Sequence, residues 1–177
     1  MKIIAGRLGG RRFEPPRGNR THPMSDKVRG ALFNSLGSVE GETVLDAFAG
    51  TGALGFEALS RGASFATLVD SDKRACFSMK DSATMLGISE SCKIICANVS
   101  SWSNNNINQT FSIVIAAPPY DRLQPSLVNK LTRHLKKDSI FVVDWPGKLL
   151  PPQLDNMKLS DQKNYGDAQL AFYRPAS

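Results

Sequence analysis

Two carboxylates, a glycine run and a proline pair offer the first chemistry in this chain. Asp46 closes an apolar run, Val44-Leu45-Asp46-Ala47, and Phe48-Ala49-Gly50-Thr51-Gly52-Ala53-Leu54-Gly55 follows it. The glycines fit G-x-G-x-x-G between a strand and a helix, the setting in which such a loop holds a nucleotide-like cofactor. They let the backbone turn sharply and let a ligand approach closely. Asp70 lies eighteen residues after Gly52, at the end of the next apolar run. A carboxylate there can hydrogen-bond both ribose hydroxyls. This pattern alone fits a nicotinamide cofactor as well as S-adenosylmethionine. Asp46 separates them: it would repel a pyrophosphate, but it suits the cationic methionine end of S-adenosylmethionine, directly or through water. A second feature is Ala116-Ala117-Pro118-Pro119-Tyr120, at the end of a later apolar run. The prolines fix two φ angles. The ring of Tyr120 is then set over the carboxyl edge of the sheet, where ligands of open α/β sheets bind. A flat ring beside a methyl donor suits stacking on a planar substrate.

The elements that must position these residues alternate. Residues 25–36 have helical spacing, with Ser25 or Asp26 as cap and Gly37 as stop. Strands are expected over 43–47, 66–70, 93–97, 112–116 and 139–144, with a late strand over 167–173 and a shorter one near 157–159. Helices are expected over 53–61, 73–86 and 125–135. Strand-helix alternation of this kind builds a parallel sheet covered on both faces. Ser101 to Asn108, rich in Ser and Asn, reads as a surface loop or poor helix. Residues 1–24, with Gly9-Gly10 as a turn signal, read as a basic arm or small β-hairpin. Residues 25–177 read as one globular unit.

Net charge narrows the partner. Residues 1–36 hold eight basic and two acidic residues, while the remaining 141 hold fourteen of each sign. The whole excess of +6 therefore sits in the first fifth of the chain. A concentrated basic segment is the footprint of a polyanion partner. Arg7, Arg11 and Arg12 are candidates for phosphate or base contacts. Arg29, on the first helix, either meets substrate or pairs with an acid such as Asp26. Cys76, Cys92 and Cys96 lack metal-ligand spacing, and no metal is expected. No apolar run is long enough for a membrane span or a secretory signal, so the expected location is the cytoplasm. His22, His134, Trp102 and Trp145 read as structural or exposed, and Phe48 either touches the cofactor or fills the core.

The combined motifs resemble the RsmD family of bacterial 16S rRNA (guanine-N2)-methyltransferases. The resemblance runs from Ile4-Ala5-Gly6-Arg7-Leu8-Gly9-Gly10-Arg11-Arg12 through Ser25 to Asn34, then Asp46 to Ala63, to Tyr165-Gly166-Asp167. It implies a Rossmann-like class I methyltransferase fold, with a seven-stranded, mostly parallel sheet whose last strand is antiparallel. By the same resemblance, Asp46, Gly50 and Gly52 line the methionine side of S-adenosylmethionine. Asp70 holds its ribose, and Asn98 and Val99 meet its adenine. The substrate is 16S rRNA or a small-subunit particle.

Two motifs depart from the family. Arg-Pro-Thr before the first helix is His22-Pro23-Met24 here, and Asp-Pro-Pro-Tyr is Ala117-Pro118-Pro119-Tyr120. A guanine N2 amine is a poor nucleophile and must be held in line with the methyl group by acceptors on its N–H groups. The main-chain carbonyl near Pro118 is one acceptor, and Tyr120 stacks on the base. Ala117 cannot supply the other, so methylation is expected to be impaired unless a group such as Asp121 substitutes. Other substrates for a similar site are a DNA adenine or a protein glutamine amide. A non-catalytic RNA-binding protein and a nicotinamide dehydrogenase are the rivals from other classes.

Overall fold

The computed structural model describes residues 1–18 and 23–177, so the expectation for His22 lies outside the described residues. Helix α1 (Asp26–Leu36) begins at Ser25, whose hydroxyl accepts the Val28 N–H, and Gly37 ends it. The alternation follows as β1 (Thr43–Ala47), α2 (Ala53–Ser60), β2 (Phe65–Asp70), α3 (Lys73–Leu86), β3 (Cys92–Cys96), α4 (Val99–Asn105), β4 (Phe111–Ala116), α5 (Pro125–Lys130) and β5 (Leu135–Pro146). Two further strands, β6 (Met157–Tyr165) and β7 (Ala168–Pro175), complete a seven-stranded sheet. Its order is β3-β2-β1-β4-β5-β7-β6. Strands β1 to β5 pair in parallel, and β7 is antiparallel to both of its neighbours. The chain direction of the order reverses between β1 and β4. That junction is the crevice where ligands of doubly wound sheets bind.

Period-two alternation splits the strand residues between two cores. Val44, Leu68, Ile113, Ile115 and Val142 join Leu32, Phe56 and Met79 on one face. Leu45, Val69, Val114, Phe141 and Val143 join Val99, Trp102 and Val128 on the other. Helices α1, α2 and α3 therefore cover one face, and α4 and α5 the other. Among the described residues, no helix is long and apolar enough to cross a membrane.

The first residues form a hairpin-like arm. Lys2 bridges Arg12 antiparallel, and the Ile3 N–H donates to the Arg11 carbonyl at 2.9 Å. Ile3, Leu8 and Phe13 are buried in the first core, with Phe13 edge-on to Phe56 at 5.4 Å.

Four elements differ from their sequence patterns, the first being β5, which runs from Leu135 to Pro146 rather than over 139–144. Val99–Asn105 is a helix where a surface loop or poor helix was expected from Ser101 onward. The Asn98 side chain caps it by accepting the Ser101 N–H, and Trp102 buries its ring 4.8 Å from that of His134. That tertiary contact overrides the weak helix propensity of Ser and Asn. Strand β6 spans nine residues rather than three. Six of its nine residues are polar, and pairing along β7 extends it. The expected helix over 125–135 is α-helical only to Lys130, and Leu131–His134 tightens into a 3-10 turn.

Candidate active site

The glycine loop leaves β1 at the crevice, and Asp46 is its anchor. Asp46 is fully buried, with Oδ2 accepting the Gly55 N–H at 3.0 Å. Oδ1 is buried without a hydrogen-bond partner. Burial pushes the carboxyl up to about 7; the Gly55 N–H opposes this, and nearby Asp70 adds to it. An orphaned acceptor of this kind is costly unless a ligand completes it. A cationic amine fits both the free oxygen and the charge, whereas a phosphate group fits neither. The donor set thus matches the methionine end of S-adenosylmethionine.

Loop shape depends on specific glycines. Gly52 has φ +85°, and a Cβ there would sit 2.6 Å from the Phe56 ring. Gly55 packs so close to β2 that a Cβ would lie 2.7 Å from the Leu68 side chain. Phe48 takes φ +61° without being glycine. A bulky residue in the left-handed region costs roughly 1–3 kcal/mol and marks functional loops more often than ordinary turns. Its ring is half-buried against the second core.

Asp70 ends β2 and ties the loop down. Its Oδ2 accepts the Gly50 N–H at 2.8 Å, and its Oδ1 accepts the Asp72 N–H at 2.8 Å. Each carboxylate oxygen can accept a second bond, so ribose hydroxyls remain within its capacity. Asn98 is exposed at the start of α4, while the Val99 side chain lies in the second core. Any Val99 contact with a ligand must therefore come from its main chain.

The Pro-Pro-Tyr turn leaves β4, whose Ala116 is paired with Val143 of β5. Ala47 of β1 pairs with Ala116 on the other side, so the two loops leave adjacent strands side by side. Pro118 is buried, Pro119 is exposed and Tyr120 is 43% exposed. The Tyr120 hydroxyl donates to Asp144 Oδ1 at 2.5 Å, with the Trp145 carbonyl 3.1 Å away. Burial pushes the Asp144 carboxyl up to about 6, and the Tyr120 hydroxyl opposes the rise. The Tyr120 phenol is itself raised, first by burial and then by Asp144 and Asp167. Asp144 was not singled out from the sequence. Like Asp46 and Asp70, it is an acid at the end of an apolar strand segment, Phe141-Val142-Val143, and that signal is present in the sequence.

Of the two roles the sequence leaves open for Arg29, the structure shows pairing with Asp26 and not contact with substrate. Arg29 is 1% exposed and cannot offer its guanidinium to a phosphate. Its Nη2 donates to the Lys2 carbonyl and to Asp26, and its Nε lies 3.6 Å from Glu57. Glu57 is the buried centre of this network, and sequence reasoning did not single it out. It accepts the N–H groups of Ile4 and Ala5 and the Nε of Arg61. An acid inside the otherwise apolar α2 was the available signal, since a buried charge requires partners. Arg11 donates to the carbonyls of Met85 and Leu86 at the end of α3, which fastens the arm. Arg7 and Arg12 are exposed. His134 is buried and structural: its Nδ1 donates to the Gln109 carbonyl, and its Nε2 meets the Ser103 hydroxyl. Burial holds its pKa below the ordinary value.

Two shallow surface clefts, of about 480 and 500 Å³, lie away from this chemistry. One is at the end of α2 beside Arg7, and the other lies between α5 and the start of β6.

Comparison with known proteins agrees with the geometry. Residues 1–174 match the family model described as conserved hypothetical protein 95. The chain is 32% identical over 146 residues to ribosomal RNA small subunit methyltransferase D of Buchnera aphidicola, covering 80% of this chain and 76% of the relative. It is 34% identical to the protein of the same name in Haemophilus influenzae, over 98% of this chain and 93% of the relative. Among solved structures, a putative methyltransferase from Escherichia coli superimposes with a TM-score of 0.87 at 28% identity, covering 100% of this chain and 98% of that one. The seven-stranded sheet, the loop at its switch point and these end-to-end matches place the chain in the RsmD family.

Proposed function

We propose that this chain transfers a methyl group from S-adenosylmethionine to the exocyclic N2 amine of a guanine in small-subunit ribosomal RNA. The observation that carries the reading is the pair of loops at the switch point. One presents a buried, unpartnered carboxylate oxygen, and the other presents a Pro-Pro-Tyr turn on the adjacent strand. S-adenosylmethionine supplies an electrophilic methyl group on a sulfonium. Asp46, Phe48, Gly50 and Gly52 hold its methionine side, Asp70 its ribose, and Asn98 with the Val99 main chain its adenine. Tyr120 stacks on the base, and the main-chain carbonyl near Pro118 accepts one N–H of the amine. The names of the relatives support ribosomal RNA as substrate, and the exposed Arg7 and Arg12 on the arm (residues 1–24) suit its phosphates. The remaining 25–177 form the catalytic domain in this reading.

Ala117 leaves the site one acceptor short of the family motif, so turnover is slowed. That same residue favours a second reading, an RNA-binding protein that has lost its chemistry. Labelled-methyl transfer to unmodified small-subunit particles separates the two, with the parent chain and Ala117→Asp side by side. Transfer by the parent, faster with Ala117→Asp, supports the enzyme. Transfer by Ala117→Asp alone, with S-adenosylhomocysteine still bound by the parent, supports the second reading. No transfer by either chain sinks both the substrate and the reaction.

A further inference from the structure

We infer that Asp144, on the neighbouring strand, supplies the guanine-binding acceptor that position 117 lacks. This rests on the guanine reading above and deepens it. Ala116 and Val143 are the last paired residues of β4 and β5. Ala117 and Asp144 are the next step of the same parallel register. Val143 and Ala116 share the second core, whereas Ala117 packs against the first, together with Val142. Alternation therefore sends the Asp144 side chain to the same face as that of Ala117. A carboxylate one strand over thus stands beside the position where the family motif carries its own.

The surroundings of Asp144 fit this task. Asp144 is mostly buried but partly exposed, and its bond with the Tyr120 hydroxyl is on the exposed side of the turn. That bond fastens the acceptor to the ring that stacks on the base. The Watson–Crick edge of guanine presents two adjacent donors, N1–H and an N2–H, and a carboxylate has only acceptors to offer them. Adenine presents an unprotonated N1 at the same place and is repelled. Asp144 is therefore a specificity-determining group as well as an anchor for the amine. Asp121, the stand-in suggested by the sequence, is exposed on the following loop and has no such place in the register.

The titratable groups around Asp144 are Tyr120, bonded to it, and Asp167, which acts on the same hydroxyl from the β6–β7 turn. Its partner on β7 is the apolar Leu170. Transfer by the parent chain is therefore expected to fall as pH drops through about 6, where Asp144 takes up a proton and ceases to be a pure acceptor.

The test is single-turnover labelled-methyl transfer to unmodified small-subunit particles. The chains are the parent, Asp144→Asn, Tyr120→Phe, Ala117→Asp and the Ala117→Asp/Asp144→Asn double variant. Asp144→Asn is expected to lose about 100-fold or more in rate. At saturating S-adenosylmethionine, whose amine keeps Asp46 ionised, it should also lose the acid limb near pH 6, while its melting temperature and its calorimetric affinity for S-adenosylhomocysteine are kept. Asp144→Ser replaces it if the amide unfolds the chain. Tyr120→Phe keeps the ring and frees the carboxylate, so it should lose less than Asp144→Asn. With Ala117→Asp present, the Asp144→Asn loss should shrink to about tenfold or less, because the restored carboxylate shares the role. Equal losses in Tyr120→Phe and Asp144→Asn would show that Asp144 acts only through the tyrosine, and would overturn the inference. So would an Asp144→Asn rate within about threefold of the parent. Transfer by Ala117→Asp but not by the parent overturns it too, while leaving the family chemistry intact. No transfer by any chain overturns the guanine reading itself.

Discussion

Glu57 and Asp46 are both fully buried carboxylates on adjoining elements, and the fold treats them in opposite ways. Glu57 receives two backbone N–H groups from the arm and the guanidinium of Arg61, with Arg29 close by. Asp46 receives one backbone N–H and keeps an oxygen with nothing to bond. A protein built only for stability would complete both. The contrast separates a closed hub, an acid both of whose oxygens are bonded although the Arg29 Nε beside it makes no hydrogen bond, from an open one, an acid with an unpartnered oxygen at the switch point. The same logic extends to arginines. Arg29 is consumed inside the hub, whereas Arg7 and Arg12 remain on the surface.

The largest expected effect tests the closed hub. Glu57→Gln removes the countercharge of buried Arg29 and of Arg61, and should lower unfolding free energy by about 3–5 kcal/mol in a denaturant titration. A loss below about 1 kcal/mol would make the hub no different from a surface pair.

Next is the open hub. Asp46→Asn should weaken S-adenosylhomocysteine binding by about 1.5–3 kcal/mol, or 10- to 100-fold, measured by calorimetry. It should also change the pH dependence of the ligand-free chain. The folded Asp46 pKa, about 7, lies above its unfolded value near 3.8. The native state therefore holds its proton more tightly, and stability falls as pH rises from about 4 to about 7. Asp46→Asn should flatten that slope; a slope equal to that of the parent would assign it to another group.

Gly52→Ala comes third. Its positive φ and the Phe56 ring leave no room for a Cβ, so stability should drop by about 1–2 kcal/mol, with weaker cofactor binding. Smallest is the paired Arg7→Ala/Arg12→Ala variant. It should leave melting unchanged and reduce the salt slope of RNA binding by about one per lost phosphate contact.

The loop from Asp46 to Gly55 was readable because each of its signals is local. A strand, an acid, three glycines and a helix follow one another within the covalent chain, and Asp70 arrives at the next strand end. Arg29 was not readable. Its spacing on α1 is compatible with solvent or with burial, and only the return of the arm over α2 decides between them. Helix α4 was hidden for a related reason, since Ser and Asn disfavour a helix that Trp102 and His134 stabilise by packing. The absence of a carboxylate at Ala117 could be read directly. The presence of one beside it could not, because Ala117 and Asp144 are 27 residues apart and meet only through the register of β4 and β5.

By itself, the sequence determined the alternating elements, the cofactor loop and the basic arm, because hydrophobic period, turn chemistry and charge are properties of neighbouring residues. Only the tertiary structure decided which buried acids are satisfied, which arginines face water and which carboxylate stands beside the Pro-Pro-Tyr turn. Those outcomes depend on contacts between distant segments, and strand order and register are what bring such segments together.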